Sequence, residues 1–181
     1  YYIYRPGGEN PVPIEALDAA QILRLRTFLV NERGRHPIVL IDTYWDDQGR
    51  ALCPAATGIS LHINPSGDIE PCPPVQFSDC RVKPETPLAE TVAASRFLDT
   101  FRREVAARTR GCLLLDRPEL LAPIVHQGGA RDTSGRPGNL AAIAGRAPCA
   151  GHDLSGNEIP ERRWTYRLAK RKWFFGFGAY G

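Results

Sequence analysis

The sequence predicts an α/β start that gives way to a small α+β region built around one β-hairpin. Three observations carry this. Residues 1–41 read as strand, helix, strand. Residues 59–72 read as two short apolar runs around a tight turn. Amphipathic helical patterns then follow without a further long strand.

The opening run "YYIYR" is aromatic and strand-like and ends at Arg5, before the loop "PGGENPVP". Asp18 with Gln21 three residues later has the form of a capping box, and Ile22, Leu25 and Leu29 then fall on one helical face. Gly34 and Pro37 end that helix. "IVLI" (38–41) is a continuous apolar run, as in a buried strand of a parallel sheet. Strand, helix, strand within about 40 residues is a βαβ rhythm.

In "ISLHI" (59–63) Ile59, Leu61 and Ile63 share one face and Ser60 and His62 the other. "NPSG" (64–67) has the composition of a type I turn, and "DIEPC" returns. A helix is expected from about Pro87 to Arg108, capped by Thr86, with a stripe of Leu88, Val92, Leu98, Phe101 and Val105. Asp116 with Glu119 is expected to cap a short helix through Val125. Residues 127–158 read as a long loop, and 161–174 as a basic amphipathic helix before the aromatic tail "WFFGFGAYG".

The bulk numbers bound the function. The chain has 181 residues, enough for an ordinary domain with its own core. A net charge of +3 is too mild to point by itself to nucleic acid or a membrane surface. No run reaches the length of a transmembrane helix. The chain starts at Tyr1, inside a strand-like run, and contains no Met. It is therefore expected to be part of something longer. The five cysteines, Cys53, Cys72, Cys80, Cys112 and Cys149, are odd in number and sit in a long chain. Both facts favour a reducing, cytoplasmic setting in which cysteines bind metal or do chemistry.

Thirteen residues separate Cys53 from Gly67, and four separate Gly67 from Cys72. The turn at 64–67 reverses the chain, so the two thiolates are expected to return toward one end of the hairpin, with Gly67 supplying backbone freedom. Cys112, after a helix end, and Cys149, in a loop, can be added by the fold. Four thiolates from dispersed positions suit an iron–sulfur cluster. Zinc is the rival metal, but structural zinc sites favour short Cys-x₂₋₄-Cys knuckles, and the closest pair here, Cys72 and Cys80, has seven residues between.

The Cys-x₁₃-Gly-x₄-Cys spacing, the wording "INPSGDIEPCPP", and the stretches "TRGCLLL" and "WFFGFGAYG" resemble the SPASM and twitch auxiliary-cluster domains that follow the catalytic barrel in radical SAM enzymes. The resemblance implies that Cys53, Cys72, Cys112 and Cys149 hold an auxiliary 4Fe-4S cluster for electron transfer or substrate binding. The longer Cys-x₂-Cys-x₅-Cys-x₃-Cys tail of SPASM domains is absent, which favours a single, twitch-like cluster, and Cys80 matches no position of the pattern. The catalytic Cys-x₃-Cys-x₂-Cys motif is also absent. S-adenosylmethionine and a second 4Fe-4S cluster would then belong to a missing N-terminal radical SAM barrel, the implied partner.

On this reading residues 1–48 are the end of a partial (β/α) barrel, 49–160 the auxiliary cluster region, and 161–181 a basic aromatic docking helix and tail. Barrel active sites sit at the C-terminal ends of strands. Arg5, Asp42, Tyr44 and Trp45 are the strand-end residues that would face the substrate, against the plainer reading of an ion pair and core aromatics. The substrate itself is not legible. His36, His62, His126 and His152 are scattered, and His62 reads as a hydrogen-bonded residue near the cluster rather than a ligand. The cations of the last helix are interleaved with Trp164 and Tyr166 and leave no clean basic face. A docking role is therefore favoured over nucleic acid binding. The alternative of another class is a zinc- or cluster-stabilised binding module whose basic tail contacts nucleic acid or a partner protein.

Overall fold

The computed structural model describes residues 17–37, 39–40, 42 and 44–172. The strand expected at 1–5 with Arg5, the residues Ile38 and Ile41 of "IVLI", and the tail 173–181 lie outside the described residues. The chain divides into two compact units. The first draws on residues 1–54, 110–116 and 148–181; the second on 55–109 and 117–147.

In the first unit, α1 (Ala19–Arg35) opens on the expected capping box: the Asp18 carboxylate accepts from Gln21 N at 2.7 Å, and Gln21 Oε1 accepts from Asp18 N at 2.8 Å. Its inward face is not purely apolar. Ile22, Arg26, Leu29, Val30 and Arg33 are all buried, so two arginines share the helix's core stripe. Ile22 and Leu29 pack with Tyr44, Trp45, Leu115 and Leu154. Residues 46–50 form a tight turn closed by the Trp45–Ala51 bridge, with Gly49 at φ +82°. This unit also holds α4 (Leu113–Asp116) and α7 (Trp164–Lys172).

The second unit contains the expected hairpin in shortened form. Strand β1 (His62–Ile63) pairs antiparallel with β2 (Ile69–Glu70), in the register His62 with Glu70 and Ile63 with Ile69. Asn64 builds the turn: its side-chain oxygen accepts from Ser66 N and Asp68 N, and its carbonyl accepts from Gly67 N at 2.8 Å. Gly67 sits at φ +83°. A Cβ there meets only the Arg81 side chain, at 3.5 Å, so Gly67→Val is expected to cost the backbone strain alone, about 1–3 kcal/mol. Urea unfolding measures it, with Ser66→Ala as the near-neutral control. The alternation of "ISLHI" does not set the burial. Ile63 is 41% exposed, whereas Asp68 and Glu70 are buried and satisfied by polar partners. Glu70 accepts from Asn64 and Thr133 and faces His62 Nδ1 at 2.8 Å.

Strand β3 (Phe77–Ser78) pairs antiparallel with β4 (Arg131–Asp132), inside the stretch expected to be loop. The single helix expected from Pro87 to Arg108 is two: α2 (Leu88–Ala94) and α3 (Arg96–Arg108). Ser95 breaks the run. Its backbone is extended, and its Oγ accepts from Leu98 N at 3.0 Å and donates to Asp79 Oδ1 at 2.5 Å. Ser95→Ala removes this cap and is expected to lower stability by about 1 kcal/mol in a denaturant titration. α3 packs Phe97, Phe101 and Val105 near α5 (Leu121–Gly128), whose terminal Gly128 is needed because a Cβ would lie 2.7 Å from Phe97 Cα. The Asp116–Glu119 box does not form: Pro118–Leu120 is a 3₁₀ turn with no side-chain cap. The stretch expected to be loop also holds α6 (Asn139–Ala144).

Candidate metal centre

No disulfide joins any of the five cysteines, and each is partly buried. Cys53, Cys112 and Cys149 belong to the first unit, Cys72 and Cys80 to the second. Cys53 is not on the hairpin. It follows the separate turn at 46–50, because the paired strands end at His62 and Glu70.

Three cysteine-bearing segments of the first unit are tied together. Cys149 N donates to Leu115 O at 2.9 Å, and Cys112 O accepts from Leu115 N and Asp116 N. Both cysteines pack on the core formed by Tyr44, Trp45, Leu115 and Leu154. The Asp116 carboxylate stands between Gly111 and Gly151: a Cβ on either glycine would overlap one of its oxygens. The Cys53 segment joins through His152, which is buried. Its Nε2 donates to Leu52 O at 3.0 Å, its carbonyl accepts from Trp45 Nε1 at 2.8 Å, and its ring lies 5.0 Å from that of Tyr44. Leu52 N in turn donates to Tyr44 O at 2.9 Å.

Burial pushes the Cys149 thiol up, and the negative charges of Asp116 and Cys112 push the same way. Such a thiol keeps its proton until a cation arrives to replace it. Among the described residues no three His, Cys, Asp or Glu side chains already stand as a metal-holding group. In the second unit Cys72 begins a turn through two prolines, bridged to Val75, with Val75 N donating to Cys72 O at 3.0 Å. Cys80 lines a cavity of about 350 Å³ with Asp79 and Ser95. Burial raises its thiol too, and the Asp79 charge adds to the rise against the Ser95 hydrogen bond.

The strand-end residues Asp42, Tyr44 and Trp45 are interior, at 3%, 5% and 0% exposure. Asp42 sits in a buried ionic cluster that the sequence did not reveal. It accepts from Lys170 Nζ at 2.8 Å and from Arg33, and Arg26 lies 3.5 Å away. Glu161 accepts from Arg26 at 2.9 Å and from Arg33, with Lys170 at 3.3 Å. The remaining donors are used on backbone: Arg26 on Ile159 O, Arg33 on Leu40 O, Lys170 on Trp45 O. The guanidinium of Arg26 lies 5.3 Å from the Trp45 ring, and that of Arg33 lies 4.8 Å from Tyr166. Burial pulls Asp42 upward, but the Lys170 and Arg33 charges and hydrogen bonds outweigh it and hold its carboxyl below the ordinary aspartate value.

The basic residues around α7 are largely spent in the same unit. Lys170 enters the cluster, Arg171 pairs with Asp47 at 2.7 Å, Arg162 donates to Asn31 and Arg163 to Gly34 O. Among the described residues no helix is long and apolar enough to cross a membrane. Asp116 and His152 are the site residues that sequence reasoning missed. The glycines flanking the cysteine segments, Gly111 before Cys112 and Gly151 after Cys149, were the available signal. In comparison with known proteins, no family model, curated protein or solved structure matches this chain.

Proposed function

We propose that this chain is the auxiliary iron–sulfur portion of a radical SAM enzyme, working beside an S-adenosylmethionine-binding barrel carried outside this sequence. The observation that carries the reading is the tying of the Cys53, Cys112 and Cys149 segments by His152, Asp116 and the Cys149–Leu115 backbone bond. It is the family resemblance of the Cys53–Gly67–Cys72 spacing, and not the fold, that adds Cys72 as the fourth ligand. The donor chemistry fits, since soft cysteine thiolates are what an iron–sulfur cluster takes.

When bound, such a cluster supplies a station for electrons or, with one open iron, a place for substrate to bind. The chain's own residues do the rest. Asp116 and His152 hold the cysteine-bearing backbone in place. The raised Cys149 thiol holds its proton until a cation displaces it. Binding and local folding are coupled at such sites, so a bound cluster would further order the segments that carry the cysteines. The odd number of cysteines in a long chain is what supports a reducing, cytoplasmic setting.

Iron and sulfide assays on anaerobically purified protein test the proposal. Ala at Cys53, Cys72, Cys112 or Cys149 should each lower bound iron, and Cys80→Ala should leave it unchanged. Iron that falls only with Cys80→Ala overturns the assignment, and stoichiometric zinc in place of iron favours a zinc-stabilised binding module. The chain alone, lacking Cys-x₃-Cys-x₂-Cys, should form no deoxyadenosine from S-adenosylmethionine.

A further inference from the structure

The mild net charge of the whole chain conceals a local imbalance. Residues 161–181 carry six Lys and Arg against one Glu, whereas the other 160 residues carry 17 Lys and Arg against 19 Asp and Glu. α7 spends one face on its own unit: Tyr166 Oη accepts from Leu40 N at 3.0 Å, and Lys170 is buried in the ionic cluster. The opposite face carries Trp164 and Leu168, one helical turn apart and 72% and 50% exposed. Arg167 stands three residues after Trp164, and Arg171 and Lys172 stand three and four after Leu168, so cations border the apolar pair. Arg171 is paired with Asp47, but Arg167 donates only to Arg162 O, Arg162 to Asn31 and Arg163 to Gly34 O. Hydrogen bonds to neutral oxygens leave those three charges without a carboxylate among the described residues.

We propose that this outward face of α7 is a docking surface for an anionic lipid bilayer, on which the helix lies in the interfacial plane. Trp and Leu side chains enter the boundary between headgroups and acyl chains, and the stems of Arg and Lys reach back from that depth to lipid phosphates. Negative lipid answers the uncompensated charges of Arg162, Arg163 and Arg167. Nucleic acid fits this face less well. Leu168 offers it neither a stacking plane nor a hydrogen bond, and the face presents one ring rather than the successive rings that successive bases stack on. A nine-residue helix with one apolar pair holds such a surface reversibly, and more tightly as the share of negative lipid rises. The proposal does not depend on the iron–sulfur reading.

The 181-residue chain, mixed with vesicles of phosphatidylcholine alone or with phosphatidylserine added, gives its bound fraction by flotation. The expected result is binding to the anionic vesicles at low salt, about tenfold weaker on neutral ones and lost as salt screens the surface. Arg167→Gln should weaken it about fivefold. Leu168→Glu should weaken it about tenfold, since it places a charge in the apolar stripe. Both side chains are exposed, so far-ultraviolet circular dichroism of either variant should match the unmodified chain. Lipids with brominated acyl chains should quench tryptophan fluorescence, and Trp164→Phe should remove most of that quenching. No flotation with anionic vesicles, equal binding to neutral ones, or unchanged binding in both folded variants overturns the proposal. Quenching that survives Trp164→Phe overturns the assignment to α7. Binding to a thymidine oligonucleotide with none to vesicles gives the face to nucleic acid instead. None of these readouts depends on iron.

Discussion

Glu161→Ala should lower the unfolding free energy of the first unit by about 3–5 kcal/mol, the cost of stranding buried charges. Glu161 is 2% exposed and answers Arg26, Arg33 and Lys170 at once. Its loss leaves three cations facing Asp42 alone among the described residues. Guanidinium groups cannot shed their protons to escape, so the penalty stays in the folded state. Chemical denaturation with far-ultraviolet circular dichroism measures the change, and a loss under 1 kcal/mol would show that water reaches the cluster. Acid acts through the other carboxylate. Asp42 binds its proton more weakly when folded than when unfolded, so its contribution is complete above the ordinary aspartate range. That contribution fades as pH falls through the lower, folded value. Stability should therefore decline with acid, and Asp42→Asn should flatten that part of the profile.

Gly49→Ala should cost about as much, roughly 3 kcal/mol, by two routes that add. The residue sits at φ +82°, where a side chain is strained by about 1–2 kcal/mol. A Cβ would also overlap the backbone of Ile159, and overpacking adds about 1–3 kcal/mol. The Ile159 carbonyl accepts from both Nε and Nη2 of Arg26, so pushing it aside disturbs the ionic cluster as well. Gly156→Ala is the control: it shares the left-handed backbone at φ +84° but has nothing within 4 Å of a Cβ. Thermal unfolding of the two variants separates strain from collision. Equal losses would mean that Ile159 yields freely.

What the sequence disclosed was local. The Asp18–Gln21 box and the Asn64–Gly67 turn are decided by side chains reaching backbone two to four residues away, and both are present. The break at Ser95 was hidden because the apolar stripe runs through it. The cap depends on Asp79, sixteen residues back. The buried arginines were hidden for a related reason. Arg26 and Arg33 occupy core positions of α1, and only Asp42 and Glu161, from elsewhere in the chain, make them tolerable there. At the candidate site, the donor residues stand out in the sequence as cysteines. What holds their segments, the Asp116 clasp and the His152 bond to Leu52, spans 35 and 100 residues and has no local pattern.

The first unit is stitched from three stretches of chain, with the second unit's residues lying between them. On the ribosome this sets an order of events. Residues 55–109 emerge, and can begin to condense, while the first unit still lacks its two later stretches. Arg26, Arg33 and Asp42 are then already made, but Glu161 and Lys170 still lie 52 and 61 residues beyond Thr109. Such distant closure is slow, because loop entropy is spent before the contacts reward it. The nascent first unit then has an incomplete ionic core and only Cys53 of its three cysteines. Only when residues 161–172 are made can Glu161 and Lys170 complete the buried ion pairs with Arg26, Arg33 and Asp42.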